Sequence, residues 1–157
     1  MSGESDFINR LRSLAAHPAA RGLSDDAAAF AHGGRTLVLT HDVIVENVHF
    51  LPTDPMSSVG QKLVRVNVSD IHAKAAEPLE ALLSIAWPGN RTEQAFAQFM
   101  SGVQMDLDTF GVSLIGGDLV LHDGPLTLTL TLTGRCIGKA RFECVAQLAD
   151  GFPETIV

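Results

Sequence analysis

The spacing of apolar residues predicts three helices in this chain. The first covers residues 5–16, and the second begins after a cap at Ser57 and stops at Pro78. The third helix is capped by Thr92, and Gly111 is a natural residue to follow its last turn. The apolar face of this third helix consists of Ala95, Phe96, Phe99, Met100, Val103, Leu107 and Phe110.

Alternating apolar and polar residues predict strands between the helices. Leucine and threonine alternate over residues 126–133, which gives the clearest strand of the chain, with all its leucines on one face. The other strands are expected over residues 36–40, 43–48, 79–87 and 112–115, with turns at 33–34 and 116–118. The order of helix, two strands, helix, strand, helix and strands predicts a mixed α/β or α+β fold in which a sheet packs against helices.

The composition is that of one globular domain. The chain has 157 residues, of which 46% are apolar and 18% are charged, so it can bury a substantial core. Its 11 Lys and Arg against 18 Asp and Glu give a net charge of −7, which argues against a nucleic-acid partner. The same charge is compatible with nucleotide binding, because Mg²⁺ can bridge carboxylates and phosphates.

Membrane segments and targeting signals are not apparent in the sequence. No apolar run is long enough to cross a bilayer, and the acidic start does not resemble a signal peptide. We therefore expect a cytoplasmic protein without a membrane partner. Cys136 and Cys144 could form one disulfide, but two free thiols fit a reducing compartment better.

Aspartates at the ends of predicted elements are the main candidates for chemistry. They are Asp25, Asp26, Asp42, Asp70 and Asp118. Each has a structural alternative, since aspartate also caps helices, occupies strand ends and closes hairpin turns. Asp70 is the hardest to explain in this way, because it shares the apolar face of the second helix with Leu63 and Val66 and needs a partner there. Lys74, one turn further along, is the candidate partner.

Convergence of these carboxylates would require cations. Two like charges about 4 Å apart repel by roughly 1–4 kcal/mol. Oxygen ligands suit Mg²⁺ or Ca²⁺, and the six histidines and two cysteines show no zinc-type spacing. The sequence also lacks a Walker P-loop, a Gly-x-Gly-x-x-Gly motif and a Gly-x-Ser-x-Gly elbow. An aspartate-rich metal site without a P-loop still permits nucleotide chemistry.

Four blocks of the sequence together resemble one family, and they follow its order and approximate spacing as far as residue 135. These blocks are Ser24-Asp25-Asp26-Ala27-Ala28, Thr40-His41-Asp42 followed by Val45-Glu46-Asn47-Val48-His49-Phe50, Val66-Asn67-Val68-Ser69-Asp70-Ile71 with Glu77-Pro78, and Leu114-Ile115-Gly116-Gly117-Asp118. They resemble the thiamine-monophosphate kinase family, of the superfamily that includes aminoimidazole-ribonucleotide synthetase and selenophosphate synthetase. The acidic blocks are shared across that superfamily, and the Val-Glu-x-Val-His-Phe block points to the kinase.

The resemblance implies the N-terminal ATP-binding fold of that superfamily and ATP-dependent phosphorylation of thiamine phosphate to thiamine diphosphate. It implies that Mg²⁺ ions are held by Asp26, Thr40, His41 (through its carbonyl), Asp42, Asp70 and Asp118. Gly117 and Asp118 would lie beside ATP. His49, which is otherwise a histidine at a strand end, would contact thiamine phosphate. The resemblance further implies a homodimer formed through the N-terminal sheets.

A site of this kind needs little general-base catalysis. The acceptor is a phosphate monoester with a second pKa of about 6, so it is mostly deprotonated at pH 7. The difficulty is to bring two polyanions together, which metal ions and positioning achieve. No catalytic base is therefore assigned.

The sequence departs from the family at several positions. Ser24 replaces a glycine and Leu119 replaces a threonine. His72, Lys74 and Ala75 replace the usual alanine, methionine and glycine. Lys74 could pair with a carboxylate or phosphate of the site, or it could be solvated.

The resemblance divides the chain into two parts. Residues 1–138 are expected to form the N-terminal domain that binds ATP and Mg²⁺. Residues 139–157 do not match the family, and Arg141 is only a weak candidate for its ATP-contacting arginine. The family's C-terminal domain has no counterpart, so we expect a truncated, inactive portion of the kinase. The alternatives are another ATP-using member of the superfamily, similar to selenophosphate synthetase, and a non-catalytic domain that only dimerises.

Overall fold

The computed structural model describes residues 3–137. Three helices and five strands make up most of these residues. The helices are α1 (Glu4–Leu11), α2 (Met56–Ala73) and α3 (Glu93–Phe110), and short 3₁₀ turns cover Arg12–Leu14 and Pro18–Leu23. The strands are β1 (Ala27–His32), β2 (Arg35–Val45), β3 (Ala76–Pro88), β4 (Ser113–His122) and β5 (Thr127–Cys136).

The strands form one mixed, five-stranded sheet in the order β1-β2-β5-β3-β4. Strands β3 and β4 are parallel and are connected through α3, whereas the other neighbouring pairs are antiparallel. Strand β5 therefore lies in the middle of the sheet, between β2 and β3. The predicted α/β class, with a mixed sheet packed against helices, is confirmed.

One face of the sheet forms the core with α2 and α3, and we call it the leucine face. The alternating leucines of the 126–133 segment have no exposed surface. They belong to the same apolar cluster as Leu63 of α2 and Phe99 of α3. The two helices approach so closely that a Cβ on Gly102 would lie 1.9 Å from the carbonyl oxygen of Ser57. Hydrophobic burial on this face is the main source of stability.

The opposite face of the sheet is more polar and more exposed, and we call it the threonine face. The threonines of β5 alternate with the buried leucines and are only partly buried. Strand β4, at one edge of the sheet, is exposed along almost all of its length. Val120, which pairs with Ala86 on this face, is 49% exposed, and Leu121, which pairs with Trp87 on the leucine face, is 70% exposed.

The second helix differs from its predicted boundaries at both ends. It begins at Met56, so Ser57 is not its cap, and it ends at Ala73 rather than at Pro78. Ala75 adopts a left-handed conformation with φ of 53°, which ends the helical path before the proline is reached. Pro78 instead lies in β3 beside a register irregularity, where its missing N–H is tolerated.

The third helix has the predicted ends. The side chain of Thr92 accepts a hydrogen bond of 3.2 Å from the N–H of Ala95. Gly111 follows the helix with φ of 68°, a left-handed conformation that glycine adopts without steric cost. Both predictions for this helix are confirmed.

The turn predicted at residues 116–118 is wrong, because these residues lie inside β4. Gly116 and Gly117 pair in parallel with Leu82 and Leu83 of β3. Gly117 has φ of 153°, and a Cβ there would lie 1.8 Å from the carbonyl oxygen of Leu83. The glycine therefore permits a close approach of two strands rather than a hairpin turn.

The N-terminal region contains a strand that the sequence pattern does not predict. The first helix is shorter than expected, and β1 pairs along its whole length with β2. The predicted turn between them is confirmed, with φ of 56° at Gly33 and 75° at Gly34. The predicted strand at 36–40 and the first part of the extended segment predicted at 43–48 form one continuous strand, β2, whereas residues 46–48 lie beyond its end.

The structure bears on the expectations about membrane segments and cysteines only within residues 3–137. No helix within residues 3–137 is long and apolar enough to span a membrane. Cys136 has a free thiol in this region. Its alternative disulfide partner Cys144, the weak candidate Arg141 and the whole 139–157 segment lie outside the described residues.

Candidate functional site

Polar side chains from a strand and a helix meet on the leucine face. Thr40 and Asp42 of β2 lie on the same face of the strand as Val38 and Ile44, which are buried against the helices. The hydroxyl of Thr40 donates a hydrogen bond of 3.3 Å to a carboxylate oxygen of Asp70 on α2. Thr40 is itself buried, so this contact is sheltered from solvent.

Electrostatic repulsion marks this group of carboxylates. Burial raises the pKa of Asp70 above its ordinary value, and the charge of Asp42 raises it further. Asp26, just before β1, is near enough to add to the same effect. The hydrogen bond from Thr40 opposes the rise in the pKa of Asp70 without cancelling it. We call Asp26, Thr40, Asp42 and Asp70 the acidic cluster.

The acidic cluster has the donor atoms of a hard-cation site, but it does not enclose one. Within residues 3–137, no group of three or more His, Cys, Asp or Glu side chains is arranged so that it could hold a metal ion. Mg²⁺ at nucleotide sites commonly takes one or two carboxylates, with water and substrate phosphates as its other ligands. The cluster therefore suits a cation that arrives with a phosphate better than a cation held by protein alone.

The ring of His41 and the carboxylate of Asp118 lie away from the acidic cluster. The ring of His41 is on the threonine face, where its Nδ1 is 2.7 Å from the hydroxyl of Thr131. Asp118 pairs with Ser84 across β3 and β4, and its carboxylate accepts a 2.9 Å hydrogen bond from the N–H of Leu119. Three strand spacings separate β4 from β2, or about 14 Å. Within one chain, Asp118 therefore lies well apart from the acidic cluster.

His49, the predicted substrate contact, lies in the turn that follows β2. Its Nδ1 accepts a hydrogen bond of 3.0 Å from the N–H of Val45, which closes the turn. Lys62 of α2 donates a hydrogen bond to the carbonyl oxygen of His49 and ties the turn to the helix. The histidine is exposed, and with Nδ1 acting as the acceptor the proton lies on Nε2.

A polar groove of about 510 Å³ runs along the exposed side of α2 and reaches Asp70. Its lining comprises Ser58, Gln61, Lys62, Arg65, Val66, Ser69 and Asp70. Arg65 is fixed there by two hydrogen bonds to the buried Asp106 of α3, of 2.5 and 3.0 Å. Cations and hydroxyls beside a carboxylate cluster form a suitable environment for a phosphate group and its counter-ion.

Lys74 binds a different carboxylate from the one that helical spacing suggests. Its ammonium lies 2.5 Å from Asp25, not beside Asp70. Burial opposes ionisation of Asp25, but the hydrogen bonds from Lys74 and from the N–H of Ala27 outweigh it and lower the pKa of Asp25. The helix ends at Ala73, so the i, i+4 spacing from Asp70 does not apply at Lys74.

A buried ion pair that the sequence analysis did not identify fixes the end of β2. Glu46 accepts a hydrogen bond from Arg91, and its other oxygen accepts one of 3.0 Å from the N–H of Leu126. Arg91 lies in the connection between β3 and α3. The only sequence signal was the glutamate of the Val-Glu-x-Val-His-Phe block, which gave no partner.

Comparison with known proteins places the described region in a family. Residues 24–136 match the family described as AIR synthase related protein, N-terminal domain. The thiamine-monophosphate kinase of Caulobacter vibrioides is 41% identical over 134 residues, which cover 83% of this chain and 38% of that protein. The thiamine-monophosphate kinase of Bacillus subtilis is 35% identical over 139 residues, covering 87% and 41%.

A solved structure gives the same relationship in three dimensions. AaThiL complexed with AMPPCP and TMP superposes with a TM-score of 0.78 and 28% sequence identity. The match covers 85% of this chain and 42% of that one. The chain thus spans about two fifths of the length of the relatives that it matches.

Proposed function

Because the chain belongs to the family of AIR synthase related proteins through its N-terminal domain, we propose that it is part of a thiamine-monophosphate kinase. The proposed reaction transfers a phosphoryl group from ATP to thiamine phosphate and yields thiamine diphosphate. Homology to kinases of that name supports the reaction, and the neighbour complexed with AMPPCP, an ATP analogue, and TMP supports the two substrates. The chain would contribute the part of the site that handles metal and phosphate.

The convergence of Thr40, Asp42 and Asp70 beside Asp26 is the observation that carries this proposal. Thr40 and Asp42 come from β2 and Asp70 from α2, and Asp26 directly precedes β1. Burial, and after it the charge of Asp42, raises the pKa of Asp70, and a divalent cation would offset both effects. Their hard oxygen donors fit Mg²⁺ rather than a thiophilic metal. Asp26, Thr40, Asp42 and Asp70 are the proposed Mg²⁺ ligands from this cluster.

His41 and Asp118 complete the proposed set of Mg²⁺ ligands in other positions. His41 neighbours two cluster residues in sequence and would contribute its carbonyl oxygen, since its ring lies on the threonine face. Asp118 and Gly117 are proposed on the ATP side of the reaction. Their distance from the cluster within one chain is compatible with several Mg²⁺ ions rather than one.

The proposed mechanism depends on charge and position. Bound Mg²⁺ would neutralise the phosphates that must approach one another. The carboxylates of Asp42 and Asp70 would hold the ion that positions the phosphates. Lys62 in the adjoining groove would add positive charge, whereas the charge of Arg65 is balanced by Asp106. No residue is needed to remove a proton, because the acceptor phosphate is already ionised at pH 7. His49 is proposed to contact thiamine phosphate through Nε2.

We also propose a cytoplasmic homodimer formed through the exposed strands of the sheet. Leu82 of β3 is 44% exposed, and the large apolar residues of β4 are 43% to 70% exposed. A second copy could cover this surface, as exposed apolar patches of soluble proteins often mark such contacts. Light scattering on the chain at high micromolar concentration should give twice the monomer mass of 16.7 kDa. A monomer at that concentration would contradict the dimer.

A chimera tests the proposed activity directly. Residues 24–136 of this chain would replace the corresponding segment of the Caulobacter vibrioides relative, and formation of thiamine diphosphate from ATP and thiamine phosphate would be followed by chromatography. We expect turnover that Asp70→Asn abolishes. A folded chimera that binds ATP and thiamine phosphate but never turns over would contradict the kinase assignment. Consumption of ATP with selenide instead would favour the selenophosphate-synthetase-like alternative.

A further inference from the structure

An ion pair between Lys74 and Asp25 joins two segments whose backbone is unusual. Arg21 and Leu23 have φ of 48° and 53°, and Ala75, next to the lysine, also has φ of 53°. Left-handed backbone is unfavourable for residues with a side chain and persists where surrounding contacts determine it. The ammonium and carboxylate are 2.5 Å apart, and their side chains are only 16% and 13% exposed. The pair is therefore a sheltered contact between the N-terminal segment and the end of α2.

The carboxylate of Asp25 is held from several directions. Besides Lys74, the N–H of Ala27 donates to it over 3.3 Å, and the guanidinium of Arg21 lies 3.5 Å away. Asp26 lies in sequence between Asp25, whose side chain makes these contacts, and Ala27, whose N–H donates one of them. Its own position relative to α2 is thus determined largely by its neighbour.

We propose that Lys74 is a positioning residue for a divalent-cation site, because by binding Asp25 it docks residues 21–26 on the end of α2 and holds Asp26 near Asp70. This inference rests on the proposed function, in which Asp26 and Asp70 share the acidic cluster. Asp70 lies in the last turn of α2, and Lys74 directly follows the helix. The helix therefore provides the carboxylate of Asp70 directly, and it positions the carboxylate of Asp26 through the ion pair between Lys74 and Asp25.

The charge of Lys74 makes the proposal testable. A lysine beside a cation site repels the cation, so removing its charge without any positional effect would strengthen Mg²⁺ binding. Removal of a positioning contact has the opposite effect, and outer-shell contacts commonly account for about 10- to 100-fold in metal affinity. The two roles predict changes of opposite sign.

The experiment measures Mg²⁺ affinity by titration calorimetry on the whole chain. We expect Lys74→Met to weaken binding about tenfold, and Lys74→Arg to recover most of the loss. Arg135→Met is the matched control, because it removes one positive charge from an exposed ion pair with Glu77. Tighter binding by Lys74→Met, or an equal loss in Arg135→Met, would overturn the proposal.

A second variant separates positioning from misfolding and from charge. Lys74→Met leaves Asp25 without its ammonium partner, whereas the double variant Asp25→Asn with Lys74→Met removes the pair and keeps the net charge. The double variant should also bind Mg²⁺ about tenfold more weakly and exchange the amide hydrogens of residues 21–27 faster than the wild type. Unchanged binding and exchange would overturn the proposal. If the wild type binds no Mg²⁺, the proposed metal site fails, and unchanged exchange in the double variant would separately refute docking by Lys74.

Discussion

The two faces of the sheet carry different side chains of the same strands, and they differ in how deeply these side chains are buried. On the leucine face, alternate residues of β5 are fully buried, and Thr40 of β2 meets Asp70 under the helices. On the threonine face, the ring of His41 and the carboxylate of Asp118 lie among partly exposed side chains. Residues that are adjacent in sequence, such as His41 and Asp42, point to opposite faces. Residues that are adjacent in a motif therefore need not place their side chains in the same site. The ligands that the site lacks must then come from backbone atoms or from a second copy of the chain.

Matched substitutions in β5 give the largest expected difference between the faces. Leu130→Ala should lower the free energy of unfolding by about 3 kcal/mol, because it removes a fully buried side chain and leaves a cavity. Thr131→Ala, one residue further on the other face, should cost less than about 1 kcal/mol. Urea denaturation of both variants measures the contrast. Equal losses would mean that the threonine face is also buried, as in a tight dimer.

His49 tests whether the turn beside the leucine face contacts the substrate. In the chimera, His49→Ala should reduce kcat/KM for thiamine phosphate about 10- to 100-fold, at roughly 1.4 kcal/mol per decade, with a much smaller change for ATP. The loss reflects a missing charge-assisted or neutral donor to the acceptor phosphate. His32→Ala, an exposed histidine at the end of β1, serves as the control. Equal changes for both substrates would make His49 a structural residue that only closes its turn.

Asp70 tests the acidic cluster through pH and metal. Because the pKa of Asp70 is raised, the metal-free folded state binds more protons than the unfolded state between pH 3.8 and that raised pKa, so stability falls as pH rises through this window. Asp70→Asn should remove this dependence and raise Tm by a few degrees at pH 7 without metal. It should also blunt the rise in Tm that millimolar Mg²⁺ gives the wild type.

The control for this experiment is Asp123→Asn, which removes one charge from the exposed connection between β4 and β5. This variant should keep both the pH dependence and the response to Mg²⁺. A wild type whose Tm ignores Mg²⁺, with or without ATP, would argue against a cation site at the acidic cluster.

The parts of the fold that local sequence determines were predictable. The buried leucines of β5 follow from strict alternation, and the ends of α3 follow from Thr92 and Gly111, whose effects act within one turn. The turn expected at 116–118 fails because two glycines and an aspartate resemble a hairpin locally. Their actual role depends on β3, which lies about thirty residues earlier in the chain.

For the candidate site, too, local sequence predicted single residues but not their partners in the folded chain. Asp70 could be singled out because a carboxylate on an apolar helix face is costly, and its meeting with Thr40 agrees with that reasoning. The partner of Lys74 could not be identified, because helical spacing held only as far as Ala73. The pairing of Glu46 with Arg91 likewise depends on the tertiary fold, which brings two connections together.

The central position of β5 has a consequence for how the chain folds. Strand β5 pairs with β2 across large sequence separations, from Val45 with Thr127 to Leu37 with Arg135. Without it, the β1–β2 hairpin and the β3–α3–β4 unit share no strand pairing. Contacts of this kind slow folding, because long loops must close before any pairing stabilises them. During synthesis, the sheet can form only after the segment up to Cys136 has left the ribosome, and until then both halves expose unpaired strand edges.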